Sequence, residues 1–177
     1  MKNNIQAVVS YTFTRRDKLF LDANVWLYLF GPRQPRNHWN QIYSQVFNRI
    51  LKVNSQIYID VLVVSEFINA YARMKQKVVA PHINTFKNIR SSPYFKPVAE
   101  DIADDVELVL SYCSKTESGF TALPMGDLLA DYSSGDFDFN DQVITEICKN
   151  NGFTLITNDS DFKAQDIPIL TANSNLL

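Results

Sequence analysis

The chain contains 177 residues, of which 46% are hydrophobic, 20% are charged and only five are glycine. These values are typical of globular proteins rather than of disordered or fibrous ones, and the length suits a single domain over residues 1–177. No apolar N-terminal stretch is long enough for a signal or membrane segment, and Cys113 and Cys148 form no CxxC pair. We therefore expect a cytoplasmic protein that does not associate with membranes.

The net charge of −2 conceals an uneven distribution along the chain. Residues 1–90 contain 13 Lys and Arg residues and four Asp and Glu residues. Residues 91–177 contain four Lys and Arg residues and 15 Asp and Glu residues. A basic half can attract a phosphate backbone, because Lys and Arg that contact phosphates release condensed counterions. The same distribution can also serve internal charge balance or a head-to-tail contact in a homodimer, and both alternatives stay open.

The first half of the chain is predicted to begin with a strand followed by two helices. Residues 19–21 form a buried strand that ends at Asp22, and residues 25–30 form a short helix that ends at Gly31 and Pro32. Four residues of the polar lead-in 1–17 could form a short extra strand: Val8, Val9, Tyr11 and Phe13. The next helix carries an apolar stripe whose spacing favours core packing over base stacking: Trp39, Ile42, Tyr43, Val46, Phe47, Ile50 and Leu51.

A second strand and a longer helix follow. Residues 57–59 are predicted as the strand, and Asp60 as the N-cap of the helix. The apolar stripe of this helix consists of Val63, Phe67, Ala70, Tyr71 and Met74. Glu66 lies beside the stripe, so we expect it to face inward or to lie at a pocket edge, with a cation or donors nearby.

The second half is predicted to be mostly helical before two final strands. Residues 81–135 form a helical extension within the domain, with breaks at Pro93, Pro97 and Pro124, and its acidic face is solvated. A helix runs from about residue 139 to residue 151, and strands are expected at 153–156 and 167–170.

Four acids stand out because they lie next to apolar runs in distant parts of the chain: Asp22, Glu66, Asp141 and Asp159. Asp22 and Asp159 follow strands, where ligands bind in open parallel sheets, and the other two lie beside the apolar faces of helices. Each acid has an ordinary explanation when it is taken alone, as a helix cap, a satisfied buried acid or a turn former. Taken together, they predict one pocket that binds a hard cation such as Mg²⁺ or Mn²⁺. Such ions activate water and stabilise charge on a phosphoryl group, so phosphodiester hydrolysis is the chemistry we expect.

The order of these motifs resembles the PIN (PilT N-terminus) domain family. The resemblance covers residues 18–170 and rests on LDAN at residues 21–24, Glu66, ND at residues 140–141 and TNDSDF at residues 157–162. It implies a three-layer α/β/α sandwich with a mostly parallel central sheet of four to five strands. It also implies a Mg²⁺- or Mn²⁺-dependent endoribonuclease, often the toxin of a VapBC-type toxin–antitoxin pair.

The resemblance assigns roles to individual residues. Asp22, Glu66, Asp141 and Asp159 match the acidic quartet that holds the metal and performs catalysis. Asn24 and Thr157 match polar residues that orient ligands or water, and Asp161 is a further acid of the metal site. Asp138 lies outside the pattern and is expected to cap a helix. The lead-in 1–17 and the region 81–135 depart from compact toxins of the family, and the latter could form a substrate platform or a partner surface.

Three functions follow from these observations. The first is an endoribonuclease acting on RNA, with a cognate antitoxin as a partner and the basic residues Arg33, Arg36, Arg73, Lys75 and Lys77 as candidates for holding the RNA backbone. An ordinary solvated surface is the alternative for each of these five residues. The second function is a non-catalytic scaffold of PIN-like fold that binds RNA or a protein. The third, a small-molecule phosphohydrolase with an Asp22 nucleophile, ranks last because Asn24 replaces the second acid that this chemistry normally uses.

Overall fold

The fold is built on one parallel sheet. In the computed structural model, which describes residues 4–32, 37–83, 85–135 and 137–177, six strands are ordered β1-β6-β5-β2-β3-β4 and every neighbouring pair is parallel. The strands are β1 (Ile5–Ala7), β2 (Lys18–Leu21), β3 (Gln56–Ile59), β4 (Ser114–Lys115), β5 (Thr154–Ile156) and β6 (Ile169–Thr171). Because parallel strands require crossover connections, helices occupy the segments between most of them.

The helices form two groups. They are α1 (Ala23–Phe30), α2 (His38–Val53), α3 (Val61–Val79), α4 (Phe86–Arg90), α5 (Phe95–Ser111), α6 (Met125–Ser134) and α7 (Phe139–Asn151), with short 3-10 helices at Phe120–Ala122 and Ser160–Ala164. Helix α1 packs on α2, α3 and α5, whereas α6 packs on α7. Crossovers between parallel strands are right-handed, and the chain reverses its direction across the sheet after β4. The two groups therefore cover opposite faces of an α/β sandwich.

The predicted helix starts and stops are largely confirmed. Asp60 caps α3 by accepting a hydrogen bond from the backbone N–H of Leu62 at 2.8 Å. Gly31 ends α1, and a Cβ at this position would lie only 2.6 Å from the carbonyl oxygen of Leu27. Only glycine fits such a close approach without a shift of the helix end.

Three sequence predictions need correction. The sheet has six strands rather than four to five, because the two-residue β4 is exposed and has no apolar pattern that reveals it. The extra strand of the lead-in covers Ile5–Ala7 rather than the residues predicted after it. Pro97 does not break the helical region, because it lies in the first turn of α5, where a backbone N–H has no partner within the helix.

The core surrounds the two central strands. Leu19, Phe20 and Leu21 of β2 and Leu155 and Ile156 of β5 are all buried. The apolar stripe of α2 is also mostly buried, which confirms that its aromatic residues belong to the core. Within the described residues, no helix has both the length and the apolar character needed to cross a bilayer.

An arginine of α2 adds to the strand pairing that holds the lead-in against the domain. The Arg49 guanidinium donates hydrogen bonds to the carbonyl oxygens of Val8 (3.4 Å), Val9 (2.8 Å) and Tyr11, and it lies 5.3 Å from the ring centre of Phe13. These contacts join the segment after β1 to the middle of the chain. They give the lead-in a structural role that its sequence does not indicate.

We predict that Arg49→Ala lowers the free energy of unfolding by about 1 to 3 kcal/mol, because it leaves partly buried carbonyl groups without a charged donor. Thermal melting followed by circular dichroism measures the change. Lys52→Ala, at an exposed position in the last turn of the same helix, is the matched control and should change stability far less. Equal losses in the two variants would contradict the structural role of Arg49.

Candidate active site

The candidate site lies where the strand order reverses. The chain runs outward through β2, β3 and β4 to one edge and then returns to form β5 and β6 on the other side of β2. Loops that leave β2 and β5 therefore diverge, and such a switch point at the carboxyl ends of strands is where open parallel sheets bind ligands. Asp22 directly follows β2, and Asp159 follows β5 by three residues.

Asp22 is held in place by hydrogen bonds from three donors. Its side chain is 4% exposed, and its Oδ1 accepts from the backbone N–H of Ala23 at 2.6 Å. Its Oδ2 accepts from Asn24 Nδ2 and from Thr157 Oγ1, both at 2.6 Å. Burial nevertheless raises the pKa of Asp22 to about 6, and the nearby Asp159 charge adds to the rise, although the hydrogen bonds act in the opposite direction. Desolvation of the carboxylate is the dominant effect.

Thr157 and Asn24 connect the two strand exits. The Thr157 hydroxyl, which is fully buried, accepts hydrogen bonds from the Asp159 backbone N–H at 3.0 Å and from Asn24 Nδ2 at 3.1 Å. The Asn24 Oδ1 accepts from the Asn158 backbone N–H at 3.2 Å. The geometry thus places both predicted polar residues around the Asp22 carboxylate, where they fix its orientation.

Two helices contribute the other acids of the quartet. Asp141 lies in the first turn of α7, and Glu66 projects from α3. Burial, followed by the charges of Asp22, Asp138 and Asp159, raises the pKa of Asp141 to about 8 and that of Glu66 to about 7. Repulsion from the same three acids indicates that both side chains face one acidic pocket.

The exposure of Glu66 bears on the two orientations that its sequence allows. The residue is exposed, so its side chain is not buried in the core, and the charges of Asp22, Asp138 and Asp159 act on its carboxyl group. The carboxyl group is nevertheless partly desolvated by its surroundings, as its raised pKa indicates. Asp159 is also exposed, and only Asp22 among the four acids is fully buried.

The other predicted residues lie in different surroundings. Asp138 caps α7 by accepting from the Asn140 backbone N–H at 2.8 Å, as predicted, although its charge also reaches the pocket. Asp161 is exposed and is not among the charges that raise the pKa values of the quartet. Lys75 is engaged in an ion pair with Asp101 at 2.8 Å. Of the other four predicted RNA-binding residues, Arg73 and Lys77 are exposed on α3, and Arg33 and Arg36 lie outside the described residues.

The donor chemistry of the pocket suits a hydrated divalent cation, but the pocket is not a closed cage. Carboxylate oxygens are the ligands that Mg²⁺ and Mn²⁺ prefer, and Mg²⁺ keeps several waters while it binds only one or two carboxylates. Over the described parts of the chain, the four acids form no ion pair with Lys or Arg. No three acidic, His or Cys side chains among those residues are close enough to hold an ion together. The acids therefore fit an ion held partly through water.

Sequence reasoning missed the residues that support the Asp159 loop. Every polar group of Asn158 has a partner: Nδ2 donates to Tyr28 Oη (3.3 Å), Oδ1 accepts from Tyr43 Oη (3.1 Å), and the carbonyl oxygen accepts from Asn173 Nδ2 (2.8 Å). The backbone N–H donates to Asn24, as described above. The hydroxyl of Tyr43, a residue in the apolar stripe of α2, was the available signal, because a buried tyrosine hydroxyl needs a hydrogen-bond partner.

Comparisons with known proteins agree with this architecture. The PIN domain family model matches residues 19–168. The chain is similar to a chain in the crystal structure of VapBC2 from Rickettsia felis bound to a DNA fragment from their promoter, with a TM-score of 0.55 and 18% identity, covering 88% of this chain and 98% of that chain. It is also similar to the crystal structure of PAE2754 from Pyrobaculum aerophilum, with a TM-score of 0.50 and 15% identity, covering 91% of this chain and 94% of that chain. A comparison with curated proteins finds no match.

We predict that the stability of the metal-free protein falls as the pH rises from about 4 to about 8. The pKa values of Asp22, Glu66 and Asp141 are raised on folding, so the folded state binds more protons than the unfolded state in this range. Their repulsion is absent when they are protonated and complete above their folded pKa values. Asp141→Asn should therefore raise the free energy of unfolding at pH 8 by about 1 to 2 kcal/mol after allowance for solvent screening.

Thermal melting in the presence of a chelator, repeated from pH 4 to pH 8, tests this pH dependence. The control is Asp104→Asn on the exposed face of α5, which should follow the wild-type curve. A wild-type melting temperature that rises steadily over this interval would contradict the raised pKa values of the three acids.

We predict that Thr157→Val lowers the free energy of unfolding by about 1 to 3 kcal/mol at pH 8, because the ionised Asp22 carboxylate loses one of its three donors. The loss should be smaller at pH 5, where Asp22 is mostly protonated. Thr145→Val is a matched control, since Thr145 is also buried but its hydroxyl has no hydrogen-bond partner. The control should be neutral or stabilising, and similar losses in both variants would disprove the role of the Thr157 hydroxyl.

Proposed function

The chain belongs to the PIN domain family, and on that premise we propose that it is a metal-dependent endoribonuclease that hydrolyses RNA phosphodiester bonds. PIN domains are generally nucleases, which supports a hydrolase acting on nucleic acids. One observation carries the proposal for this chain. Burial raises the pKa values of Asp22, Glu66 and Asp141 at the switch point of the sheet, and the charge of Asp159 adds to the rise of all three. None of the four acids forms an ion pair with a described Lys or Arg.

The proposed metal is Mg²⁺ or Mn²⁺, held by Asp22, Glu66, Asp141 and Asp159, with Asp161 as a further acid, directly by one or two of these carboxylates and through bound water by the others. When bound, such a cation supplies water activation and stabilisation of the charge that develops on the phosphoryl group. Asp22 offers its Oδ1 for this purpose, because that oxygen accepts only one hydrogen bond whereas Oδ2 accepts two. Thr157 and Asn24 keep this oxygen in place by holding the Asp22 carboxylate through Oδ2.

Basic residues on α3 support binding of the RNA backbone. Glu66, Arg73 and Lys77 are spaced at i, i+7 and i+11, so they lie along one face of the helix. At 1.5 Å per residue, the two cations lie about 10 and 16 Å along the axis from Glu66. Both are exposed and line a hollow of about 420 Å³ near the end of α3. Lys75 is paired with Asp101 and is therefore a poorer candidate, while Arg33 and Arg36 stay part of the proposal.

A role as the toxin of a type II toxin–antitoxin pair is the finer part of the proposal. The fold likeness to VapBC2 supports it, and so does an apolar surface that a protein partner could cover. Val61 and Phe120 are 73% and 66% exposed, and they line a hollow of about 380 Å³ together with Phe139 and Asn140, the residues just before Asp141. A neighbouring reading frame that encodes a small DNA-binding protein would support a cognate antitoxin, whereas a homodimer would cover such a surface equally well.

We predict that the protein cleaves single-stranded RNA in the presence of Mg²⁺ or Mn²⁺, and that Asp22→Asn and Asp141→Asn each lower the rate by about 100-fold or more. Single-turnover cleavage of a mixed RNA pool measures the effect. Asp131→Asn, at an exposed position on α6, should keep wild-type activity. Because Asp141→Asn is expected to stabilise the fold, its loss of activity cannot result from unfolding. Cleavage at the wild-type rate by either quartet variant would remove the proposed role of the quartet.

The open geometry of the acids favours a second candidate, a non-catalytic PIN-like scaffold that binds RNA or a protein. No described group of three acidic, His or Cys side chains is assembled for an ion, and a scaffold would not need one. This candidate and the nuclease differ in their response to metal. A cation that binds only the folded state must raise the melting temperature.

We predict that millimolar Mn²⁺ raises the melting temperature at pH 7.5 by several degrees, since it neutralises the repulsion among the acids. Asp22→Asn should reduce the shift, and Asp131→Asn should leave it unchanged. An absence of any shift in the wild-type protein would favour the scaffold over the nuclease.

A further inference from the structure

A polar groove leads away from the acidic pocket along α1 and α2. A cavity of about 230 Å³ borders Asn24 and shares Tyr28, Asn37 and Asn40 with a larger cavity of about 680 Å³. The two cavities are therefore neighbours separated by shared side chains. We call them together the amide groove and define it by the polar residues that line it: Asn24, Tyr28, Asn37, Asn40, Gln41 and Ser44.

Among the described residues, the wall of the amide groove carries many hydrogen-bonding groups and no Lys or Arg. The described lining of the two cavities includes one acidic residue, Asp105, whose carboxylate accepts a hydrogen bond from Tyr71 Oη at 2.7 Å. A phosphate would gain nothing from such a wall and would be repelled by Asp105. The groove suits a flat, uncharged group whose edge both donates and accepts hydrogen bonds.

Two features of the groove indicate what such a group would contact. The Oδ1 of Asn40 is buried and has no hydrogen-bond partner among the described residues, so the amide can gain a bond by turning towards a donor in the groove. The Tyr28 ring stacks on Tyr43, with centroids 5.5 Å apart and planes at 14°, and it lines both cavities. An aromatic ring and amide groups in the same lining offer contacts to the face and to the edge of a planar ligand.

Hydrogen bonds connect the groove to the proposed chemistry. At its inner end, Asn24 donates to Asp22 Oδ2 at 2.6 Å. Along its side, Tyr28 Oη accepts from Asn158 Nδ2, and Asn158 directly precedes Asp159. A nucleotide whose phosphate lies at the acids could therefore place its neighbouring base in the groove.

We infer that the amide groove binds one nucleobase of the RNA next to the phosphodiester that is cut, and so sets the base preference of cleavage. This inference rests on the proposed ribonuclease function. Bases of single-stranded RNA are recognised by stacking on aromatic side chains and by hydrogen bonds to their edges, and the groove supplies both. A base rather than a phosphate is the occupant, because the Lys and Arg of the described chain do not line these cavities.

The test compares two double variants on the same helix. Asn40→Ala/Gln41→Ala removes two groove amides, and Gln45→Ala/Asn48→Ala removes two exposed amides that do not line the groove. Cleavage of a randomised single-stranded RNA, sequenced at the cut ends, should show a base preference for wild type and for the control. The groove variant should lose that preference, with kcat/KM for the preferred base lowered about tenfold.

Two further measurements exclude indirect effects. An RNA with an abasic nucleotide at the preferred position should be cut equally by wild type, the groove variant and the control variant, because this RNA has no base to contact the groove. The single variant Gln41→Ala changes an exposed residue, so the variant protein should fold normally and lose part of its base preference in cleavage. A wild-type enzyme without base preference, or a groove variant that keeps it, would overturn the inference.

Binding without cleavage separates this inference from the nuclease proposal. If wild type cuts no RNA, the nuclease proposal fails, and the affinities for four single-stranded homopolymers in EDTA decide on the groove. A preference of wild type and the control for one homopolymer, lost in Asn40→Ala/Gln41→Ala, would support a base-binding groove. Equal affinities of wild type for all four, or an unchanged preference in the groove variant, would overturn it.

Discussion

The site depends on electrostatic repulsion that the fold does not relieve by itself. A buried carboxylate at Asp22 is costly even with three donors, and the charges of nearby acids add to the raised pKa values of Asp22, Glu66 and Asp141. Helix N-termini offset part of this cost, because Asp141 lies in the first turn of α7 and Asp22 caps α1. A helix terminus typically contributes about 0.3 to 1 kcal/mol, and the raised pKa of Asp141 means that burial and repulsion exceed this contribution.

The parallel sheet explains why the acids meet in one place. Its strand order reverses beside β2, so the exits of β2 and β5 are adjacent while their chains continue in different directions. The Thr157 hydroxyl bridges the two exits, and Asn158 fastens the following loop to α1, α2 and the segment after β6. The sheet and these hydrogen bonds therefore hold Asp22 in a buried position, whereas Glu66 and Asp159 are exposed to solvent. This division suits a pocket that must admit a ligand.

The sequence predicted the features that local pattern and burial control. Apolar runs located β2 and β5 and the polar residues that follow them, and helix periodicity located α2, α3 and α7. It failed where tertiary contacts decide the outcome. β4 exists because its two exposed residues pair with β3, and the lead-in is ordered by Arg49, which is 40 residues away from its partner Val9. The sequence did not predict the hydrogen bonds of Asn158, because an asparagine between a strand and an acidic loop can take many structural roles. The four partners of Asn158 come from three separate segments of the chain.

The pairing of β1 with β6 has a consequence for the order in which the protein folds. Ile5 pairs with Ile169, so the first strand meets its partner only after most of the chain is available. Contacts so distant in sequence carry a large loop-closure entropy and tend to form late. The central strands can pair without β1, and the lead-in then docks on a sheet that already exists. Its contacts with Arg49 should therefore slow unfolding of the finished protein more than they speed its folding.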